Sequence, residues 1–320
     1  MEKNKELHIT SIGGQAVMEG VMMRGPYKTA VSVRKPDGEI TTKIDENGVK
    51  TRPKICRLPI IRGCVNFFDS LVIGMKALMY SAEFIDLEEE EEETESKFDQ
   101  WLERKFGDRI KDIVIYVSIA ISLVLSVGLF IVLPTFLTRL VEAIPAIRPV
   151  TETHAFTSVF EGVIRMAIFL GYMALVAQMK EIKRVFEYHG AEHKTIACYE
   201  AGEELTVDNV KKYTRFHPRC GTSFLLFVMI ISIILFACLP KTGVILRVIM
   251  RLALLPVVAG LSYEVIKWAG RSKNPVVRVL SKPGLWLQRL TTREPDATQI
   301  EVAIESMKPC IPENKDEDRW

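Results

Sequence analysis

The sequence has no excess of charge of either sign. Its 320 residues include 42 lysines and arginines against 40 aspartates and glutamates, a formal net charge of +2. A nucleic-acid-binding surface usually shows as a basic excess, so this balance predicts no nucleic-acid partner. The glycine-rich stretch at 13–25 also lacks the GxGxxG and GK[ST] spacings, which argues against a dinucleotide or phosphate loop.

Cysteine is sparse and follows no pattern. The six cysteines are irregularly spaced and include no CxxC pair, which excludes the disulfide framework of a small secreted protein. The N-terminal residues MEKNKELHITSIGG contain no apolar core of a signal peptide. We therefore expect reduced thiols and a chain inserted through its own first membrane span.

Long apolar runs are what the sequence does contain. Apolar residues form 48% of the chain and gather into four blocks, at 113–133, 157–179, 224–239 and 244–268. The first carries no charge and is long enough to cross a hydrocarbon core as a helix, whereas the third is short for a span. The predicted fold is mainly α: a polytopic helical membrane protein with about four transmembrane helices and a small N-terminal β-hairpin region.

Lysine and arginine are unevenly distributed around the apolar blocks. They concentrate before the first block, between residues 180 and 221, and after the last block. By the positive-inside rule, both termini and the 180–221 segment are cytoplasmic. The predicted location is the cell (inner) membrane, crossed several times. The lipid bilayer is thus the expected partner, and the pattern leaves open a small-molecule, peptide or lipid substrate and assembly as a homo-oligomer.

The chain divides by composition into five segments. A Pro-Asp-Gly turn between two alternating runs predicts the hairpin, an acidic run at 87–96 predicts a solvated linker, and the last dozen residues are expected to fray. The segments are an N-terminal cytoplasmic β-hairpin region (1–59), an amphipathic or re-entrant helix (60–85), an acidic linker with a pre-membrane helix (86–112), a four-helix membrane domain with the cytoplasmic loop 180–221 (113–268) and a cytoplasmic interfacial tail (269–320).

Several charged residues lie inside otherwise apolar or glycine-rich stretches. Charges in apolar helices usually face a bundle interior or a water-filled cavity, although those near a helix end can snorkel to the interface. Glu161, Arg165 and Arg247 are therefore candidates for a polar interior. Glu19, from the glycine-rich stretch, is a further candidate for a polar lining.

The strongest chemical signal is the run EYHGAEHK in the 180–221 segment. His189 and His193 are four residues apart, so a helix presents both imidazoles on one face, as a zinc site requires. Together with Glu192 they spell H-x-x-E-H, in which the glutamate is the general base for hydrolysis. The alternative is that these side chains only solvate a helix end.

Further ligands are available downstream. His217 and Cys220 stand three apart in HPRCGTSF, and the loop of about 202–221 can return them to the first histidine pair. Glu264, at the end of the last block, is an additional candidate. Four ligands would close a structural shell, whereas three and a water would form a catalytic one, with zinc the expected ion. The sequence leaves both open.

Four stretches resemble the YqhQ family of bacterial membrane proteins: GGQAVMEGVMMRGP, YHGAEHK, HPRCGTSF and QRLTTREP. The resemblance covers nearly the whole chain and implies metal at His189, Glu192 and His193, because the family is often labelled a predicted metal-dependent enzyme. The histidine run is also similar, over five residues, to the inverted zincin peptidases. In those enzymes a downstream glutamate completes the site, and Glu264 is the nearest match in spacing.

These observations favour a membrane-embedded, metal-dependent hydrolase with its site at the cytoplasmic face. The alternative is a non-enzymatic channel, transporter or assembly factor with a structural metal site, or with none. The two hypotheses differ in whether Glu192 is needed for function in a protein that still binds the metal.

Overall fold

The computed structural model describes residues 8–47, 53–84, 110–144, 154–240, 242–271 and 274–319. The chain forms two compact units. The first comprises Met1–Leu87, Met173–Val228 and Pro256–Trp320, and the second comprises Glu88–Tyr172 and Met229–Leu255. The predicted acidic linker at 87–96 lies outside the described residues.

The described chain is mainly helical and contains one small sheet. The strands are β1 (Gly13–Val17), β2 (Gly20–Arg24), β3 (Lys28–Arg34) and β4 (Ile40–Glu46). The helices are α1 (Ile61–Ala82), α2 (Ile110–Val127), α3 (Leu133–Glu142), α4 (His154–Val176), α5 (Lys180–Glu200), α6 (Val207–Lys211), α7 (Gly221–Ala237), α8 (Val244–Arg271), α9 (Pro275–Thr291) and α10 (Ala297–Met307). A π turn, Gly128–Val132, joins α2 to α3.

The sheet is an antiparallel meander in the order β1-β2-β3-β4. The predicted hairpin is present as β3 and β4, and Gly38 takes a φ of 87° in its turn, a conformation that favours glycine. The sheet is larger than predicted, because the glycine- and methionine-rich stretch forms β1 and β2. Glycine is depleted in strands, so propensity gave no signal for them.

Helices of the first unit cover both faces of the sheet. Alternation along β2 turns Val21 and Met23 into a core shared with α5 and α10, whereas Met22 packs on the opposite face with Ala77 of α1. The apolar helix predicted at 60–85 is therefore α1, and it packs on the sheet. This layering holds α5, the helix of the HxxEH motif, against β1.

The C-terminal end of the first unit is tied into the fold. Asp318 is fully buried and accepts hydrogen bonds from the Thr10 hydroxyl at 2.5 Å and from the Tyr199 hydroxyl at 3.0 Å. The expectation of a frayed end is therefore wrong for the described residues up to 319. The charged residues at the C-terminus do not by themselves predict that a distant threonine and tyrosine will donate hydrogen bonds to one of their carboxylates.

Three stretches of helix are long and apolar enough to cross a membrane: Val117–Glu142, Phe156–Val176 and Ile245–Ala269. The fourth expected span, α7, is a shorter apolar helix. Apolar side chains on the first stretch are largely exposed, with Leu123 at 66% and Val124 at 71%. The described residues leave this apolar surface uncovered.

Candidate metal centre

Three predicted residues converge in the first unit. His189, His193 and Cys220 each offer one ligand atom, and these atoms lie within 4.8 Å of one another. Nε2 of His189 is 3.2 Å from Sγ of Cys220, and the two imidazole centroids are 4.4 Å apart. Helix α5 supplies both histidines on one face, and Cys220 immediately precedes α7.

Both histidines are oriented by backbone carbonyls. Nδ1 of His189 donates to the Thr291 carbonyl at 2.8 Å, and Nδ1 of His193 donates to the Arg215 carbonyl at 2.6 Å. A carbonyl only accepts, so each Nδ1 carries the proton and each Nε2 keeps its lone pair. This is the outer-shell arrangement that usually accompanies a metal-ligating histidine.

Gly190 allows the segment after α9 to lie against α5. A Cβ at Gly190 would overlap the carbonyl oxygen of Arg293 and come within 3.3 Å of Cδ of Pro295. The Arg293 amide also donates to the Phe186 carbonyl at 2.8 Å. This close backbone approach places the nearby Thr291 carbonyl where His189 can reach it.

Glu192 is buried beside the triad of His189, His193 and Cys220. Its side chain is packed against β1, because a Cβ at Gly14 would stand 2.9 Å from the carboxylate carbon. Within the described structure Oε2 of Glu192 has no hydrogen-bond partner. Burial raises the pKa of Glu192 to about 7, against the opposing influence of His189 and of the Gly14 backbone. A carboxylate with a free oxygen here is suited to accept a proton.

The protonation states of the other groups also suit a metal. Burial by itself would raise the pKa of the Cys220 thiol, but the neighbouring His193 imidazole and the hydrogen bonds of Thr222 hold it below its usual range. Burial lowers the pKa of His193, with the charge of His189 adding to the effect. A thiolate and a neutral imidazole are the forms in which these side chains bind metals.

His217 lies next to the triad but faces another partner. Its ring centroid is 5.5 Å from that of His193, and its Nε2 is 3.7 Å from Oε2 of Glu200. Gln288 holds the His217 backbone, accepting from its amide at 2.8 Å and donating to its carbonyl at 2.7 Å. The third potential ligand beside His189 and His193 is therefore Cys220 rather than His217.

Two other predicted residues form ion pairs elsewhere in the first unit. Glu264 accepts from Nε of Arg62 at 2.6 Å, and it is not part of the triad. Glu19 accepts from Arg184 at 2.6 Å and from the Tyr188 hydroxyl at 3.2 Å.

The polar-interior candidates of the apolar blocks meet in the second unit. Glu161 accepts from the Thr135 hydroxyl at 2.7 Å and from Arg165 at 3.3 Å, and Arg247 is 4.0 Å away. Arg251, which was not among the candidates, also pairs with both oxygens of Glu161. Glu161 lines a cavity of about 360 Å³ together with Arg247 and Arg251.

A cleft of about 420 Å³ borders His189 and Cys220 of the triad. Its walls include residues 13–16 of β1, His189 and Glu192 of α5, and residues 220–222 at the start of α7. The site is therefore reachable from one edge of the sheet.

No local sequence pattern predicts the groups that orient the triad. Thr291 and Arg215 act through backbone carbonyls, which every residue has. Gln288 and Thr291 fall in QRLTTREP, a stretch noted only for its family resemblance.

Comparison with known proteins gives two matches. Residues 58–313 match the family described as "Protein of unknown function (DUF1385)". The chain is 37% identical over 308 residues to "Uncharacterized protein YqhQ" of Bacillus subtilis (strain 168), covering 93% of this chain and 92% of that protein. No solved structure matches the chain.

Proposed function

The chain belongs to the DUF1385 family of proteins of unknown function, as its resemblance to YqhQ predicted, and we propose that it is a metal-dependent hydrolase embedded in the membrane. The observation that carries the proposal is the convergence of His189, His193 and Cys220 beside Glu192, whose buried carboxylate keeps one oxygen free.

The number and type of ligands support a catalytic rather than a closed site. Two imidazole nitrogens and one thiolate suit zinc or a similar divalent ion, and three protein ligands leave a fourth position for water. The ion would lower the pKa of that water towards neutrality. Glu192 is positioned as the general base that takes its proton, and the Thr291 and Arg215 carbonyls hold the imidazoles in place.

The location is proposed from the charge pattern and the helices. Three helices have the length and composition of spans, and the positively charged segments include the 180–221 region that holds His189 and His193. The positive-inside rule then puts the site and both termini on the cytoplasmic side of a multi-pass protein of the cell (inner) membrane.

Metal content is the first test. The protein is purified in detergent without added metal or a histidine tag, and bound metals are measured by mass spectrometry. We expect about one zinc, iron or manganese ion per wild-type chain, and loss of that ion in Cys220→Ser and in His189→Ala/His193→Ala. His217→Ala is the matched control and should retain it. Wild-type protein that binds no metal even after reconstitution with divalent ions would contradict the proposal.

The role of Glu192 is the second test. Glu192→Gln should keep the metal and the fold but lose about 10²- to 10⁴-fold in turnover of small chromogenic esters, the range for a general base. Turnover equal to wild type in this variant would mean that the triad is a structural site.

The charged cluster of the second unit favours one alternative, a transporter or channel. Glu161, Arg165 and Arg251 are each at most 5% exposed, yet they lie on apolar helices. Ionisable residues in such positions commonly mark a substrate or ion pathway. Ion flux into proteoliposomes that is lost in Glu161→Gln and retained in Glu192→Gln would favour this function, whereas metal-dependent turnover without flux would favour the hydrolase.

A further inference from the structure

The strand nearest the triad is at an edge of the sheet. In the order β1-β2-β3-β4, β1 pairs only with β2 among the described strands, so none of the described residues forms a strand along its outer side. An edge strand presents backbone N–H and C=O groups that another extended chain can pair with.

The ladder between β2 and β3 shows which residues of β2 face which neighbour. The Arg34 amide donates to the Glu19 carbonyl and the Gly25 amide donates to the Lys28 carbonyl, each at 2.8 Å. Antiparallel pairs alternate between bonded and non-bonded, so the odd-numbered residues of β2 bond to β3. Its even-numbered residues are left to bond to β1.

The same alternation applies to β1. Its register pairs Val17 with Gly20 and Gln15 with Met22, so the odd-numbered residues of β1 make the sheet bonds. Gly14 and Ala16 consequently direct their backbone groups away from the sheet. The Glu192 carboxylate packs against Gly14, and both Gly14 and Ala16 line the cleft, so the outward-facing backbone groups of β1 border it.

Side chains at this edge leave room for a second backbone. A Cβ at Gly13 would meet nothing within 4 Å, and both Gly13 and Gly14 are exposed. Glycine within a strand often marks a place where another backbone or a ligand approaches closely. Residues 220–222 and Leu225 also line the cleft, so it is bounded both by β1 and by residues of the triad.

We infer that the substrate is an extended peptide segment that pairs with β1 and so lays one of its amide bonds beside the triad. The cleavage part of this inference rests on the proposed hydrolase function, and the binding part does not. Pairing through the outward backbone groups of Gly14 and Ala16 would set the register, and the packing of the Glu192 carboxylate against Gly14 links the strand to the general base. Hydrolysis breaks the amide C–N bond: the oxygen of water joins the acyl carbon, and the amine leaves with a proton.

Binding is tested without catalysis. Full-length Glu192→Gln protein in detergent, loaded with zinc, is used to select binders from a random decapeptide library. Each selected peptide is then resynthesised with a single N-methyl group at each position in turn. Strand pairing uses every second amide, so we expect alternate N-methyl groups to weaken binding about 5- to 10-fold and the intervening ones to have little effect. Selection of no peptide, or a scan without a period of two, would overturn the inference.

Two proline variants provide a matched pair. In Ala16→Pro the lost amide is one that points into the cleft, so no bond of the sheet is removed. Ile44 lies on β4, the opposite edge strand, and its pairing with Ala30 is a non-bonded one. Ile44→Pro therefore removes an equivalent outward-facing amide at a position outside the cleft. We expect Ala16→Pro to weaken peptide binding about tenfold with its metal content unchanged, and Ile44→Pro to bind as the parent protein does. Equal binding by both variants would refute pairing at β1.

The outcomes separate the two proposals. Wild-type protein that binds metal and hydrolyses esters, while its Glu192→Gln form selects no peptide, would leave the hydrolase standing and remove the peptide substrate. Peptides selected with the alternating pattern by a protein that lacks metal-dependent turnover would support the peptide-binding edge and contradict the hydrolase.

Discussion

Replacing Gly190 with alanine tests whether the backbone approach at α5 supports the metal centre. A Cβ there would overlap the Arg293 carbonyl oxygen and stand 3.2 Å from its carbon, and both atoms belong to backbone that cannot rotate away. The segment after α9 must therefore move. Two hydrogen bonds depend on its position, one from the Arg293 amide to the Phe186 carbonyl and one from His189 to the Thr291 carbonyl.

The size of the effect follows from three contributions. Overpacking a tight site costs about 1–3 kcal/mol, and loss of two hydrogen bonds costs about 1 kcal/mol each. Alanine is favoured over glycine in a helix by about 1 kcal/mol. Gly190→Ala should thus destabilise the fold by roughly 2–4 kcal/mol, and loss of the carbonyl that orients His189 should weaken metal binding about 10- to 100-fold.

Thermal unfolding and competition with a chromogenic chelator measure the two effects. The matched control is Gly171→Ala, another helical glycine, whose added Cβ would meet nothing within 4 Å and should not weaken metal binding. Metal affinity in Gly190→Ala equal to that of wild type would refute the argument that this contact positions His189.

Three further predictions concern charged residues of the two units. Asp318→Ala should lower the free energy of unfolding by about 2–4 kcal/mol, because it leaves the partners of a fully buried carboxylate unsatisfied. Asp316→Ala, at an exposed site, should change the free energy of unfolding by less than about 0.5 kcal/mol. Denaturant titration of the two variants measures the difference. Glu161→Leu should reduce the yield of folded protein in mild detergent more than Arg251→Leu, since it leaves two buried arginines, Arg165 and Arg251, without their shared acid. Glu264→Gln should leave bound metal unchanged by mass spectrometry, and loss of metal would make Glu264 a ligand after all.

Sequence patterns predicted the features that depend on neighbours along the chain. Apolar blocks gave helices, alternation around the Pro-Asp-Gly turn gave the β3–β4 hairpin, and the four-residue spacing of His189 and His193 gave a shared helical face. Each of these follows from the 3.6- or 2-residue period of one element.

Features that depend on distant residues were not predictable in this way. The strand character of residues 13–24 comes from burial of Val21, Met22 and Met23 between helices on the two faces, against the low strand propensity of glycine. The order at the C-terminus likewise depends on Thr10, which is 308 residues away from Asp318.

The structure places Cys220 rather than His217 in the triad, and the spacing of these residues in the sequence does not predict which of them is the ligand. Both residues lie in the same turn, and either suits zinc. The difference comes from Glu200, which accepts from the Thr10 amide at 2.8 Å and also pairs with Arg219. Burial would raise the pKa of Glu200, but the neighbouring His217 imidazole and the Arg219 charge hold it below its usual range, so the carboxylate stays ionised, with Oε2 3.7 Å from Nε2 of His217. With His217 occupied there, the triad keeps three ligands, the number that leaves a position for water.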